Sequence, residues 1–148
     1  MEKIKFFEDA VEKLNVIKQT TAPGSKERDA AEDAFYDGLE GWKFSLFNKY
    51  YDAIGRQNHY IDFDNCPSAE ETWKLVACMQ KLDVLHITIS SEWSGLVGDM
   101  WEFCRAGCSI EGMVEINDRH PNRHGNYDKK PAFLLRVGTP KTKEENKT

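Results

Sequence analysis

Three short apolar segments separated by helix-length connections constrain this chain more than any other feature. From His59 the apolar spacing changes from three-and-four to two, with Ile61 and Phe63 alternating with Tyr60, Asp62 and Asp64. Val84-Leu-His-Ile-Thr-Ile89 is a run rich in β-branched residues, and Cys108 to Ile116 forms a third candidate strand. The connections, about 20 and 18 residues long, have the length of βαβ crossovers, so strands one to three are expected to be parallel. A fourth strand, Ala132 to Val137, returns from a loop with no room for a helix and is expected antiparallel beside the third.

Upstream the spacing is helical. Ile4, Phe7, Val11, Leu14 and Ile17 predict an amphipathic helix from about Glu2 to Gln19. Thr20 to Gly24 is a break, and Ser25 is a suitable N-cap for a second helix. Ala31, Phe35, Leu39, Trp42, Leu46, Tyr50 and Ile54 hold the period to Gly55, which can supply a left-handed stop. Gly38 and Gly41 weaken the middle of that run by about 1 kcal/mol each relative to Ala, so a kink is expected there. Ser68-Ala-Glu-Glu71 is a capping box opening a third helix, with Trp73, Val76 and Met79 inward. Ser90 and Ser91 are expected to open a fourth helix, with Trp93, Leu96, Val97, Met100, Trp101 and Cys104 inward and Gly107 closing it. The expected class is therefore α/β, bordering on α+β: an N-terminal helical hairpin, then βαβαββ with a small mixed four-stranded sheet. Residues 1–138 form one expected domain with a helical arm over 1–55, and 139–148 an expected flexible tail.

Charge and cysteine content narrow the function classes. At 148 residues with 8 Phe, 5 Tyr and 4 Trp, the chain can build a core of its own. A net charge of −5 argues against direct nucleic-acid binding through many neutralised phosphates. The first residues carry no uninterrupted apolar stretch of a signal peptide, and no run reaches the roughly 20 apolar residues of a membrane span, so a cytoplasmic protein is expected. In that compartment Cys66, Cys78, Cys104 and Cys108 are expected to be free thiols, with Cys78 in the core.

The charge is uneven, and it picks out two contact surfaces. Lys26 to Glu40 holds two basic and six acidic residues, and the helix beyond it has more aromatics than one buried stripe can use. Asp29, Glu32, Asp33, Tyr36, Asp37, Glu40, Phe44 and Tyr51 thus mark an expected partner-binding face on the helical arm. Asp118 to Lys130 reverses the balance, with four basic and two acidic residues. Arg119, His120, Arg123, His124, Lys129 and Lys130 mark a hairpin loop suited to a phosphate or an acidic protein surface. Its HxxxH spacing aligns two imidazoles only on a helix, which Pro121 and Gly125 oppose, so no metal site is expected.

Ligands of open parallel sheets settle beyond the carboxyl ends of the strands. That rule selects Asp62, Asp64, Ser90 and Ser91, two carboxylates facing two hydroxyls at an expected helix N-terminus, as an alternative ligand or enzyme site. The chain carries no nucleophile elbow, Walker loop, dinucleotide fingerprint, zincin motif or CxxC pair, so no catalytic residue and no cofactor is assigned.

The block Ile87-Thr-Ile-Ser-Ser-Glu-Trp-Ser-Gly-Leu96, continuing through Gly107 to Asn117 and Pro131 to Leu135, resembles small uncharacterised proteins of phages and mobile elements of Gram-positive gut bacteria. The resemblance covers about the last third of the chain and implies a setting, not a reaction. Small acidic inhibitors of bacterial defence nucleases belong to that setting. The leading expectation is a non-enzymatic protein-interaction domain, an anti-CRISPR-like inhibitor whose partner is a nucleic-acid-handling nuclease. A homodimer sealed by the first two helices is a further expectation.

Overall fold

A break at the two glycines of the long helical run sets the shape of the arm. The computed structural model describes residues 1–138, without the side chains of Arg119 and His120; the expected tail lies outside the described residues. The first two helices are α1 (Lys5–Thr20) and α2 (Lys26–Asp37). The run then stops at Gly38 and resumes as α3 (Trp42–Gly55), so the single kinked helix is two helices. Gly41 has φ +57, a left-handed value that glycine adopts without a Cβ clash, and it turns the chain where a bend alone was expected. At the other end of α3 the left-handed residue is Gln57, φ +60, two residues past the expected Gly55.

The order continues β1 (Ile61–Phe63), α4 (Ala69–Lys81), β2 (His86–Ile89), α5 (Leu96–Arg105), β3 (Cys108–Pro121) and β4 (Tyr127–Val137). This is an α/β fold of five helices on a four-stranded mixed sheet of order β1-β2-β4-β3. β1 and β2 pair in parallel, and β4 is antiparallel to both β2 and β3. The first three strands therefore point the same way, as their connections require. β4 inserts between β2 and β3, so β3 has no hydrogen-bonded parallel neighbour. The βα connection length fixes strand direction; it leaves open which strand fills the gap.

One face of the sheet carries Ile61, Phe63, Ile87, Ile89, Leu135 and Val137 into a core with Phe7, Leu46, Phe47, Leu75, Met79 and Phe103. Burying each such side chain contributes about 1.5–3 kcal/mol. Ser68 Oγ accepts the Glu71 amide at 3.4 Å, which starts α4 as expected, while the Glu71 carboxylate lies 3.6 Å from Lys74 Nζ. The opposite sheet face carries Asp62 and Thr88, both buried, where the chain leaving α3 closes over it.

Two expectations about the second half are corrected. The helix expected at Ser91 begins at Leu96, and it buries Met100 and Phe103, leaving Trp93, Val97 and Trp101 exposed at 57%, 82% and 63%. The long hairpin loop is mostly strand: β3 runs to Pro121 and β4 starts at Tyr127, leaving a tight turn closed by the Asn122 side chain, which accepts from the His124 and Asn126 amides. Pro131 sits where β4 has a neighbour on one side only, a position in a sheet that tolerates proline. All four cysteines are free; Cys78 is half-buried against the core.

Candidate functional site

The arm is assembled by one arginine. The guanidinium of Arg28 in α2 donates to the Lys18 carbonyl at 2.5 Å, the Thr21 carbonyl at 2.8 Å and the Thr21 hydroxyl at 3.0 Å. These acceptors lie at the end of α1, where helix carbonyls lack intrahelical partners and a cation is favoured. Ser25 Oγ accepts the Arg28 amide at 3.1 Å and caps α2 as its sequence predicts. Docked in this way, α2 still buries no residue; Phe35, Tyr36 and Leu39 are only half-covered.

On this frame the expected aromatic face forms. Phe44 is 45% exposed and Tyr51 38% exposed. The Tyr36 ring lies 5.7 Å from Phe44 and 6.4 Å from Phe47, and Phe47 lies 6.0 Å from Tyr51, so the exposed rings stand on a buried one. The two Tyr36 pairs are edge-on, an arrangement that contributes about 0.5–1.5 kcal/mol beyond area, and the Phe47–Tyr51 pair is tilted at 40°. Lys18 Nζ donates to the Tyr51 hydroxyl at 3.1 Å and borders the patch. Asp29, Asp33, Asp37 and Glu40 are exposed and Glu32 half-exposed, so the carboxylates of α2 stay in water beside the rings.

The strand-end cluster is brought together and closed. Asp62 accepts from the Ser90 hydroxyl at 2.7 Å and the Thr88 hydroxyl at 2.8 Å. Arg56 Nη1 stands 3.9 Å from the same carboxylate while its Nε and Nη2 hold Asp52 at 2.7 and 2.5 Å. Burial pushes the Asp62 carboxyl above its ordinary value; the hydrogen bonds from Ser90 and Thr88, then the charges of Arg56 and Lys130, draw it part of the way back. Asp62, Ser90 and Ser91 are only 5%, 4% and 6% exposed, and no helix N-terminus reaches them, since α5 starts five residues past Ser91. Asp64 is half-exposed beside them and has interactions of its own. The arrangement is a satisfied buried network: Ser90 donates to Asp62, and Ser91, which resembles an N-cap in the sequence, caps no helix, since α5 is preceded by Gly95.

The basic hairpin is less a patch than its composition suggests. Lys129 Nζ donates to Asn117 Oδ1, and Lys130 is half-buried near Asp62. Arg123 and His124 remain exposed at the turn; the side chains of Arg119 and His120 lie outside the described residues. The hairpin also packs inward: the Tyr127 hydroxyl donates to the Gly55 carbonyl and Asn117 Nδ2 to the Arg56 carbonyl, both at 2.7 Å, which satisfies the end of α3. His86, overlooked in the sequence, links the N-terminus to the sheet. Its Nδ1 lies 3.2 Å from Glu2 and its Nε2 3.3 Å from Glu111. Glu2 and Glu111 are 84 and 25 residues away, so no local pattern could join them.

Among the described residues no cluster of three His, Cys, Asp or Glu is placed to hold a metal ion, and no helix is long and apolar enough to cross a membrane. No curated protein and no solved structure matches the chain. A family model described as a domain of unknown function, DUF7698, matches residues 45–137, from the first turn of α3 to the end of β4. The acidic α2 and the α1 it docks on precede the matched segment. The match takes in well over half of the chain, which belongs to the DUF7698 family.

Proposed function

We propose that the protein is a non-enzymatic interaction domain whose helical arm docks, in the cytoplasm, on a cationic surface of a protein partner. The observation that carries this is a 12-residue helix with five carboxylates and no buried residue, set beside two exposed aromatic rings. Isolated helices of that length are marginal in water, and a surface helix normally gains its stability by burying an apolar face. α2 gains little in that way. Rigid aromatics within a charged rim are the composition of an interface hot spot, and the carboxylates select a basic counterpart.

The partner class that fits is a nucleic-acid-handling nuclease, whose substrate groove is cationic by necessity. The resemblance of the last third to proteins of phages and mobile elements supports the same setting, an inhibitor of a defence nuclease. The test is DNA cleavage by a panel of purified defence nucleases with and without this protein. Inhibition of one of them that weakens at high salt and is lost in Phe44→Ala/Tyr51→Ala and in Asp33→Lys/Asp37→Lys is the expected result. Inhibition or association indifferent to all four positions overturns the reading.

A further inference from the structure

Gly98 lies inside α5 on its exposed face, and among the described residues no contact calls for a glycine there. A Cβ at this position would meet no atom within 4 Å, and the backbone is ordinary α-helix, not the left-handed form. Glycine is among the poorest helix formers, so the position weakens α5 without a compensating contact in the chain. What it provides is a dent that lets another backbone come close. One turn on stands the opposite shape. Trp101 projects into solvent, and the Arg105 guanidinium, 6.0 Å from its ring, is held by Glu102 and by a second stack on Trp73. Gly98, Trp101 and Arg105, three and four residues apart, share one helix face. Val97 flanks that face on the Trp101 side, and the Trp93 indole, reaching over Gly95 to Asp99, borders it on the other.

We infer that this face of α5 is the seam of a homodimer, in which two copies cross antiparallel and Trp101 of each lies on Gly98 of the other. A twofold axis midway between the two residues places the projection of each copy on the dent of the other and sets Val97 beside Trp101 of the second copy. A foreign helix needs a small and a large residue at the matching spacing; a second copy has them by identity. The charges agree with the antiparallel sense. Glu92 is exposed just before α5 and Arg105 ends it, so the crossing brings unlike charges together at both ends. The other carboxylates of the helix are engaged within the chain, Asp99 by Trp93 Nε1 and Glu102 by Trp73 Nε1.

Area sets the strength. Taking a full tryptophan as about 250 Å², Trp93 and Trp101 at 57% and 63% exposure, with Val97 at 82%, offer roughly 400 Å² of apolar surface per copy. Homodimer interfaces are about 65% apolar, so the whole contact is roughly 600 Å² a side. The total of about 1,200 Å² lies at the lower edge of stable interfaces, which makes this a dimer that dissociates on dilution.

The test is sedimentation equilibrium of the full-length protein over a range of concentrations, with a urea melt of each variant. A monomer–dimer equilibrium with a dissociation constant on the order of micromolar is expected. Gly98→Leu is expected to weaken the dimer about tenfold or more while raising the urea midpoint of the monomer, since leucine favours a helix and its side chain meets open solvent. A residue with a purely internal role would not move association and stability in opposite directions. Trp101→Ala is expected to weaken the dimer likewise, and Glu92→Arg to weaken it more at low salt than at high salt. A protein monomeric at every concentration, or a dimer that Gly98→Leu and Trp101→Ala leave undiminished, overturns the inference. A dimer lost in Phe44→Ala/Tyr51→Ala but kept in Gly98→Leu assigns the seam to the helical arm and overturns it equally.

Discussion

Asn58 and Asn117, fifty-nine residues apart, exchange two hydrogen bonds: Asn58 Nδ2 donates to the Asn117 carbonyl at 3.2 Å, and the Asn117 amide donates to Asn58 Oδ1 at 2.8 Å. Asn58 thus extends the β3 ladder as a strand would, using a side chain in place of a backbone. Both residues are buried, so removing one leaves donors and acceptors out of contact with water. Asn58→Ala is expected to destabilise the fold by about 2 kcal/mol in a urea melt and to raise amide exchange at Ile116 to Tyr127 before the rest of the sheet. Uniform protection across β3 would show that the hairpin does not depend on this clasp.

Asp62 ionises above its ordinary value of 3.8 in the folded chain because it is buried, despite its two hydroxyl donors and Arg56. In the unfolded chain it ionises near that ordinary value. Between the two the folded form holds the extra proton, so this group's contribution to stability falls as pH rises through the window and is flat above it. Asp62→Asn removes the titration. Its urea midpoint relative to wild type is therefore expected to climb with pH from about 3.8 upward and then level off. A midpoint difference that declines over the same range would mean that Arg56 and the hydroxyls outweigh burial.

The parts of the fold that were legible in the sequence are those set by neighbours in the chain. Ile61 and Phe63, Ser68 with Glu71, and the β-branched run ending at Ile89 each carry their signal within a few residues, and each element forms where it is expected. Ser90 and Ser91 show the limit: locally the pair reads as the start of a helix, yet Ser90 is claimed by Asp62 of the neighbouring strand and α5 starts only after Gly95. From Trp93 to Phe103 the series Trp93-Val97-Trp101 and Leu96-Met100-Phe103 are both helically spaced, and only the position of the sheet decides that the second packs inward, with Met100 and Phe103 buried and Leu96 half-covered. In the candidate site, the acidic and aromatic content of the arm could be read directly. The docking of α2 on α1 could not, because it rests on the Arg28 side chain reaching the Lys18 and Thr21 carbonyls across the turn.

The cysteines give a chemical test of the packing. Burial pushes the Cys66 and Cys108 thiols up to about 12, with Asp99 adding to the first and Cys104 to the second; burial raises Cys78 and Cys104 as well. The thiolate is the nucleophile, so at pH 8 a thiol at about 12 reacts on the order of a thousandfold more slowly than a free cysteine. Titration with a disulfide reagent is expected to leave Cys66 and Cys108 essentially unmodified in the native protein and to modify all four on unfolding. Fast native labelling of Cys108 would show that α5 does not cover the start of β3.

The Trp93 indole lies over Gly95 and donates through Nε1 to the Asp99 carboxylate at 2.6 Å, so a loop aromatic tethers the first turn of α5. A Cβ on Gly95 would stand 2.1 Å from the Trp93 ring atoms, closer than any real contact, although the backbone there, φ −86, accepts alanine freely. Gly95→Ala must therefore displace the ring and break the tether. The cost is small, about 0.5–1.5 kcal/mol, because the hydrogen bond is exposed. The spectroscopic effect is larger: Trp93 moves from contact with the chain into water, so tryptophan emission is expected to shift to longer wavelength. The same substitution in a Trp93→Phe background is expected to leave the emission unchanged. A shift that persists without Trp93 would assign the effect to Trp101 and to a rearranged α5.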